Sequence, residues 1–219
     1  MDTKELSDVL KAEWDRRRRS GNAGEVFSML IDAYSESHRH YHNLQHIADM
    51  LGEFPDCSNA LYMAVWFHDA VYDSQKHDNE ERSAGLAEKK CIEMGYDKGF
   101  AAEVASLIMA TKHKADPSTQ EAKLICDADL AIFASPRVYE YNTAIRSEYL
   151  HIPIEAYLQR RKKVLESFLS RQCIYRTKEF RDRYEQKARG NLNAIIEELD
   201  NTLLDLDIGI GFGMLGLKD

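Results

Sequence analysis

The chain is poor in the residues that break or staple a fold. Four prolines and eleven glycines in 219 residues are few for a protein of many short strands, and they favour long uninterrupted helices. The four cysteines, Cys57, Cys91, Cys126 and Cys173, contain no C-x-x-C pair. That spacing argues against a disulfide framework and against a closed structural zinc site. No apolar run approaches the roughly 20 residues that cross a bilayer. The first residues, Met1 to Glu5, lack the charged-then-apolar pattern of a secretory signal. A cytoplasmic protein with no membrane partner is therefore expected. Positive charge is in deficit: 29 Lys and Arg face 37 Asp and Glu, a net charge of −8. That balance argues against nucleic acid as a partner, because backbone phosphates demand a basic face. Period-two alternation over six or more residues is also missing, so strands are not expected.

What is present is helical periodicity from end to end. Leu6, Val9, Leu10 and Trp14 mark one face of a helix ending in Arg16-Arg17-Arg18-Arg19, a basic last turn that suits the helix dipole. Gly21-Asn22 interrupts, and Ala23 to Tyr34 forms the next helix. Asn43 caps a helix with apolar Leu44, Ile47, Met50 and Leu51. Ser58 or Asn59 starts another, Asp78 or Asn79 the one after it, Asp97 the next, and Ser118 a helix running through Phe133. Pro136 and Pro153 open two more, and Thr177 caps a long final helix to about Leu206. The expected fold is all-α, a single-domain helical bundle over 1–205 with its core at about 26–200. Residues 206–219 form a glycine-spaced apolar tail that hints at a homodimer contact.

Seven apolar or aromatic residues, Leu61 to Phe67, lead directly into His68-Asp69. An imidazole and a carboxylate carried into the core need a strong partner, because an unpaired buried charge is costly. A divalent metal is one such partner. The dipeptide alone decides nothing, since His77-Asp78 repeats it in a polar loop. Its company decides more. Four of the eight histidines fall between His38 and His46. His46, beside Ile47, points inward, His38 and His40 face water, and Arg39 and His42 stand at the mouth of the same site. Asp127 and Asp129 interrupt an otherwise apolar helix. Two positions apart, they are separated by about 200° around the axis. One of them faces the site, and the other a helix end or solvent. The inward set is thus His46, His68, Asp69 and one of Asp127 or Asp129: two imidazoles and two carboxylates, with positions left open for water and substrate.

The order His46, then His68-Asp69, then Asp129 in an all-α chain resembles the HD superfamily of metal-dependent phosphohydrolases. Longer strings are similar to a bacterial branch of it: Arg39 to His46, Phe67 to Asp73, Asn79 to Ala84, Thr111-Lys112-His113, Asp127 to Leu130, Ile145 to Tyr149 and Ala188 to Leu192. The resemblance spans about 26–200. It implies an HD-type bundle and a divalent metal (Mn, Mg, Fe, Co, Ni or Zn) held by His46, His68, Asp69 and Asp129. Asp129 is favoured over Asp127 by its Ala128-Asp129-Leu130 context. The implied activity is hydrolysis of a small phosphorylated metabolite, a nucleotide first of all, by metal-activated water. Arg39, Lys112 and Arg146 would stabilise phosphoryl oxygens, with His42, His113 and Tyr149 also at the substrate. Asp69, Glu80 or Glu81 would handle the proton. Tyr72-Asp73 stands where alarmone-hydrolysing relatives carry Glu-Asp, and His113-Lys114 offers one histidine where two-metal relatives carry more. Both departures argue for a single metal and against alarmone hydrolysis. The alternatives are a non-catalytic metal- or nucleotide-binding regulator and a di-iron oxygenase.

Overall fold

The computed structural model describes residues 3–17, 21–54 and 56–207. Among them there are ten α-helices, one 3-10 helix and no strand. The chain divides into two compact units, Met1–Leu130 and Ala131–Asp219. The first holds α1 (Thr3–Arg17), α2 (Ala23–Tyr34), α3 (Leu44–Gly52), α4 (Asn59–Phe67), α5 (Asn79–Glu93), α6 (Lys98–Ala110) and α7 (Gln120–Asp129). The second holds the 3-10 turn Ala131–Ala134, α8 (Val138–Glu148), α9 (Ile154–Leu169) and α10 (Lys178–Asp207). Arg18 and Arg19 of the basic run, and the tail beyond residue 207, lie outside the described residues.

The first unit is built around α4. Ala60 to Phe67 are all buried, and α3, α5, α6 and α7 pack against this helix. A helix apolar on every face has no solvent side, so it takes the centre. Its start is set by Ser58, whose hydroxyl accepts from the backbone N–H of Leu61 at 3.0 Å. Below it lies an aromatic cluster: the Trp14 ring is 5.6 Å from both Phe27 and Trp66. Leu6, Leu10 and Trp14 are buried, but Val9 is 57% exposed. The buried face of α1 follows i, i+4, i+8, and Val9 falls beyond its edge.

Three predicted boundaries move. Thr119, not Ser118, caps α7, accepting from Ala122 N–H at 3.1 Å. That helix stops at Asp129 and gives way to the 3-10 turn instead of continuing through Phe133. Pro136 does not open α8. Ser135 accepts from Arg137 N–H at 3.1 Å, and the helix begins two residues after the proline.

In the second unit, α9 and the 3-10 turn pack on α10, with Leu192 and Ile195 of α10 fully buried. Two α10 side chains tie down neighbouring backbone. Glu185 accepts from the N–H groups of Ile174 and Tyr175, while Arg189 donates to the carbonyls of Leu169, Arg171 and Gln172. Asn191 donates to the Phe133 carbonyl at 2.7 Å. The Ala188–Leu192 string thus has a structural job within its unit.

Candidate metal centre

Three elements of the first unit deliver the candidate ligand atoms. On α3, the amphipathic spacing that buries Leu44, Ile47 and Leu51 also buries His46, while His38 and His40 in the preceding loop are exposed. The end of α4 delivers His68, and the last residue of α7 is Asp129. One ligand atom from each of His46, His68 and Asp129 lies within 4.8 Å of the other two. The two Nε2 atoms are 3.1 Å apart, and Asp129 Oδ1 is 3.3 Å from His46 Nε2 and 4.0 Å from His68 Nε2. Asp69 Oδ2 lies 2.9 Å from His68 Nε2 and 3.9 Å from His46 Nε2.

These separations fit one ion. With metal–ligand bonds of about 2.1 Å, adjacent ligand atoms stand about 3.0 to 3.4 Å apart, and opposite ones about 4.2 Å. The tautomer fits as well. His68 Nδ1 donates to the Val65 carbonyl at 2.8 Å, so in the neutral ring the lone pair is on Nε2, facing the cluster. A ligating histidine is ordinarily oriented by such a bond from its other nitrogen. Both rings are buried, but the carboxylates of Asp69 and Asp129 keep 16% and 20% of their exposure, so the acidic side of the cluster reaches solvent.

Electrostatics follow from this crowding. Burial pulls the His68 pKa down, but Asp69 beside it and Asp129 beyond outweigh burial and raise it to about 9. Burial pushes both carboxyls up. The histidines more than reverse this, and Asp69, against His68 and His42, and Asp129, against His113 and His46, are held well below the usual range. Without a cation the cluster holds protons in its place, and a proton competes with a metal for the same lone pairs.

The surrounding residues hold this geometry. His113 Nε2 is 2.9 Å from Asp129 Oδ2, which leaves Oδ1 turned toward His46. His113 adopts φ +54°, the sole positive φ of a non-glycine residue among those described. Strained backbone of this kind persists where surrounding contacts over-determine it. His42 stacks on Tyr72, with centroids 4.2 Å apart. Asn79 exchanges two hydrogen bonds with the backbone of Asp73, and the Ser83 hydroxyl bonds both the N–H and the carbonyl of Val71. The loop after His68-Asp69 is thereby strapped to the first turns of α5, which accounts for the Asn79–Ala84 string.

Other predicted site residues are engaged elsewhere. Arg39, expected to offer its charge to a phosphoryl group, has a side chain only 1% exposed. Its guanidinium donates to the carbonyls of His42, Asp69 and Ala70 and to Glu36, between the rings of Tyr34 and Tyr72. It clamps the histidine loop to the His68-Asp69 turn. Lys112 donates to the His77 carbonyl and pairs with Glu81 and, at 3.5 Å, with Glu80. Through that pairing Glu81 titrates lower and Lys112 higher than usual. Asp127, expected at a helix end or in solvent, is 1% exposed, a buried carboxylate beside the ligand-bearing turn. Arg146 and Tyr149 belong to the second unit, where Arg146 donates to the carbonyls of Tyr149 and Ile152. The contribution that sequence reasoning missed is His113 as partner of Asp129. Its signal was the histidine three residues after the end of α6, and a histidine in a turn carries no mark of where it points. No protein-family profile, curated protein or solved structure matches the chain.

Proposed function

We propose that the chain is a metal-dependent phosphohydrolase with a single divalent ion held by His46, His68 and Asp129, with Asp69 as the fourth contact. One observation carries the reading: ligand atoms from three elements converge within 4.8 Å, with His68 Nε2 turned among them by the bond from Nδ1 to the Val65 carbonyl. Two nitrogens and two carboxylate oxygens suit Mn, Fe, Co, Ni, Zn or Mg, and they leave coordination positions open. A bound ion of this kind supplies a water of lowered pKa and draws charge from a phosphoryl oxygen.

The chain's own groups then have distinct tasks. His68 is held in register by Val65, and Asp129 by His113. Asp69, partly exposed beside the ligand nitrogens, would complete the ligand set and orient the attacking water. His42, stacked on Tyr72, bounds the site and is placed to donate to a phosphoryl oxygen. Arg39 is assigned no such role, since its donors serve backbone carbonyls and Glu36. Glu80 and Glu81 hold Lys112 and are assigned no proton transfer. The single-ion form is preferred to the di-iron reading because His46, His68 and Asp129 are the one such ligand group among the described residues. A small phosphorylated metabolite, with a nucleotide as the leading class, is the proposed substrate.

Two measurements test this. Titration of the chelator-treated chain with Mn, Co, Ni and Zn should show one ion per chain, with binding lost in His46→Ala and in His68→Ala. Phosphate release from a nucleotide panel should require the ion and vanish in Asp69→Asn. Stoichiometric binding without release from any phosphorylated compound would favour the regulatory reading. Absence of binding would remove the site altogether.

A further inference from the structure

Within the second unit, two arginines lie among tyrosines with no carboxylate against them. Arg161 of α9 is 8% exposed. Its Nε donates to Asn142 Oδ1 at 3.1 Å, and its guanidinium lies over the Tyr141 ring at 4.9 Å. Arg146 of α8 lies over the Tyr157 ring at 4.8 Å, and Tyr157 precedes Arg161 by one turn, on the same face of α9. Neither guanidinium has an ion-pair partner among the described residues. Three buried polar atoms here have no hydrogen-bond partner: Arg161 Nη2, Arg146 Nε and the Tyr157 hydroxyl.

A guanidinium stays charged at any working pH, and a buried charge without a counter-ion is among the most expensive features a fold can carry. Packing alone would be served better by Met or Leu at position 161. Two cations, three idle polar atoms and flanking aromatic faces instead describe a receptor for an oxyanion. A carboxylate would neutralise one guanidinium. A phosphate dianion carries charge enough for both.

We propose that Arg146, Tyr157 and Arg161 form a phosphate-binding site in the second unit. It does not rest on the metal centre, and its occupant is inorganic phosphate or the phosphoryl group of a larger ligand.

The test is thermal denaturation of the full chain in chelator, at constant ionic strength, titrated with inorganic phosphate and in parallel with AMP. The wild type and His68→Ala should show the same saturable rise in Tm. Arg161→Met should weaken the response by tenfold or more, and Tyr157→Phe by several-fold. In phosphate-free buffer Arg161→Met should melt no lower than wild type, because it removes an uncompensated charge. A stronger response to AMP than to phosphate would place the site on a nucleotide-sized ligand, and equal responses would place it on the phosphoryl group alone. Either supports the site. The proposal is overturned if phosphate leaves the wild-type Tm unmoved. It is equally overturned if Arg161→Met keeps the full response while melting lower, the behaviour of a packing residue. A response lost in His68→Ala but kept in Arg161→Met would assign phosphate to the metal centre instead.

Discussion

At the scale of single residues, His68 carries the most information. Its pKa stands at about 9 in the metal-free protein, above the unfolded value of about 6.5. A raised pKa means the folded state holds its proton more tightly. The associated stability is therefore complete below about pH 6.5 and is lost as pH rises through about 9, with an upper bound of about 3 kcal/mol. The depressed pKa values of Asp69 and Asp129 report the same attraction from the acid side, where it is lost again as pH falls below the unfolded carboxyl value of about 3.9. Urea denaturation in chelator should show the midpoint falling between pH 6.5 and pH 9, and His68→Gln should flatten that slope. His113 acts one step out. Replacing it with Ala should lower metal affinity by about 10- to 100-fold, the usual effect of losing a ligand's partner. His113→Asn, which tolerates positive φ and keeps a donor, should recover part of the loss in the same titration. Cys91 is fully buried, and burial pushes its thiol up to about 12. At pH 8 it holds its proton, so a thiol reagent should leave it unlabelled in the native chain and modify it only after unfolding.

At the scale of elements, the strap between the His68-Asp69 loop and α5 is a sharp target. Ser83 is buried and bonds both backbone polar groups of Val71. Ser83→Ala leaves the part-buried Val71 N–H without its partner and should cost about 1 kcal/mol, with faster hydrogen exchange confined to the loop through residue 78. Comparable exchange across α4 would instead mean that the whole unit had loosened.

Elements were also where sequence reading worked best. Asn43, Ser58 and Asp97 were legible as caps because capping is local chemistry, a side-chain oxygen meeting an N–H two or three residues on. The central position of α4 was legible from its unbroken apolar run. The inward turn of His46 followed from its place beside Ile47. The misreadings have two causes, contacts distant in sequence and local hydrogen bonding at helix ends. Arg39 looks like a free cation until Asp69 and Ala70, about thirty residues on, supply the carbonyls that absorb it. Asp127 had two readings, and its burial is decided by packing that periodicity does not encode. The stop of α7 at Asp129 depends on the turn that follows, where an apolar run continues but the hydrogen-bonding pattern changes.

At the scale of the whole molecule, the acidic balance makes a simple prediction. With net charge −8 and its described arginines largely engaged by carbonyls, carboxylates or rings, the chain should show no saturable binding to duplex DNA at physiological salt by fluorescence anisotropy. Both units are helical, yet they use charge in opposite ways. The first gathers acids and imidazoles around a common point, and the second leaves the guanidiniums of Arg146 and Arg161 without acids.

The complete burial of α4 has a further consequence, for how such a protein can change over generations. Every position from Ala60 to Phe67 touches the core, so nearly any replacement there is felt as instability before it is felt as altered chemistry. The helix that presents His68 is therefore closed to gradual adjustment. Lineages that retune this site would have to do so through the surrounding loops, at His42, Tyr72 and the turn holding His113, while the central helix stays nearly constant.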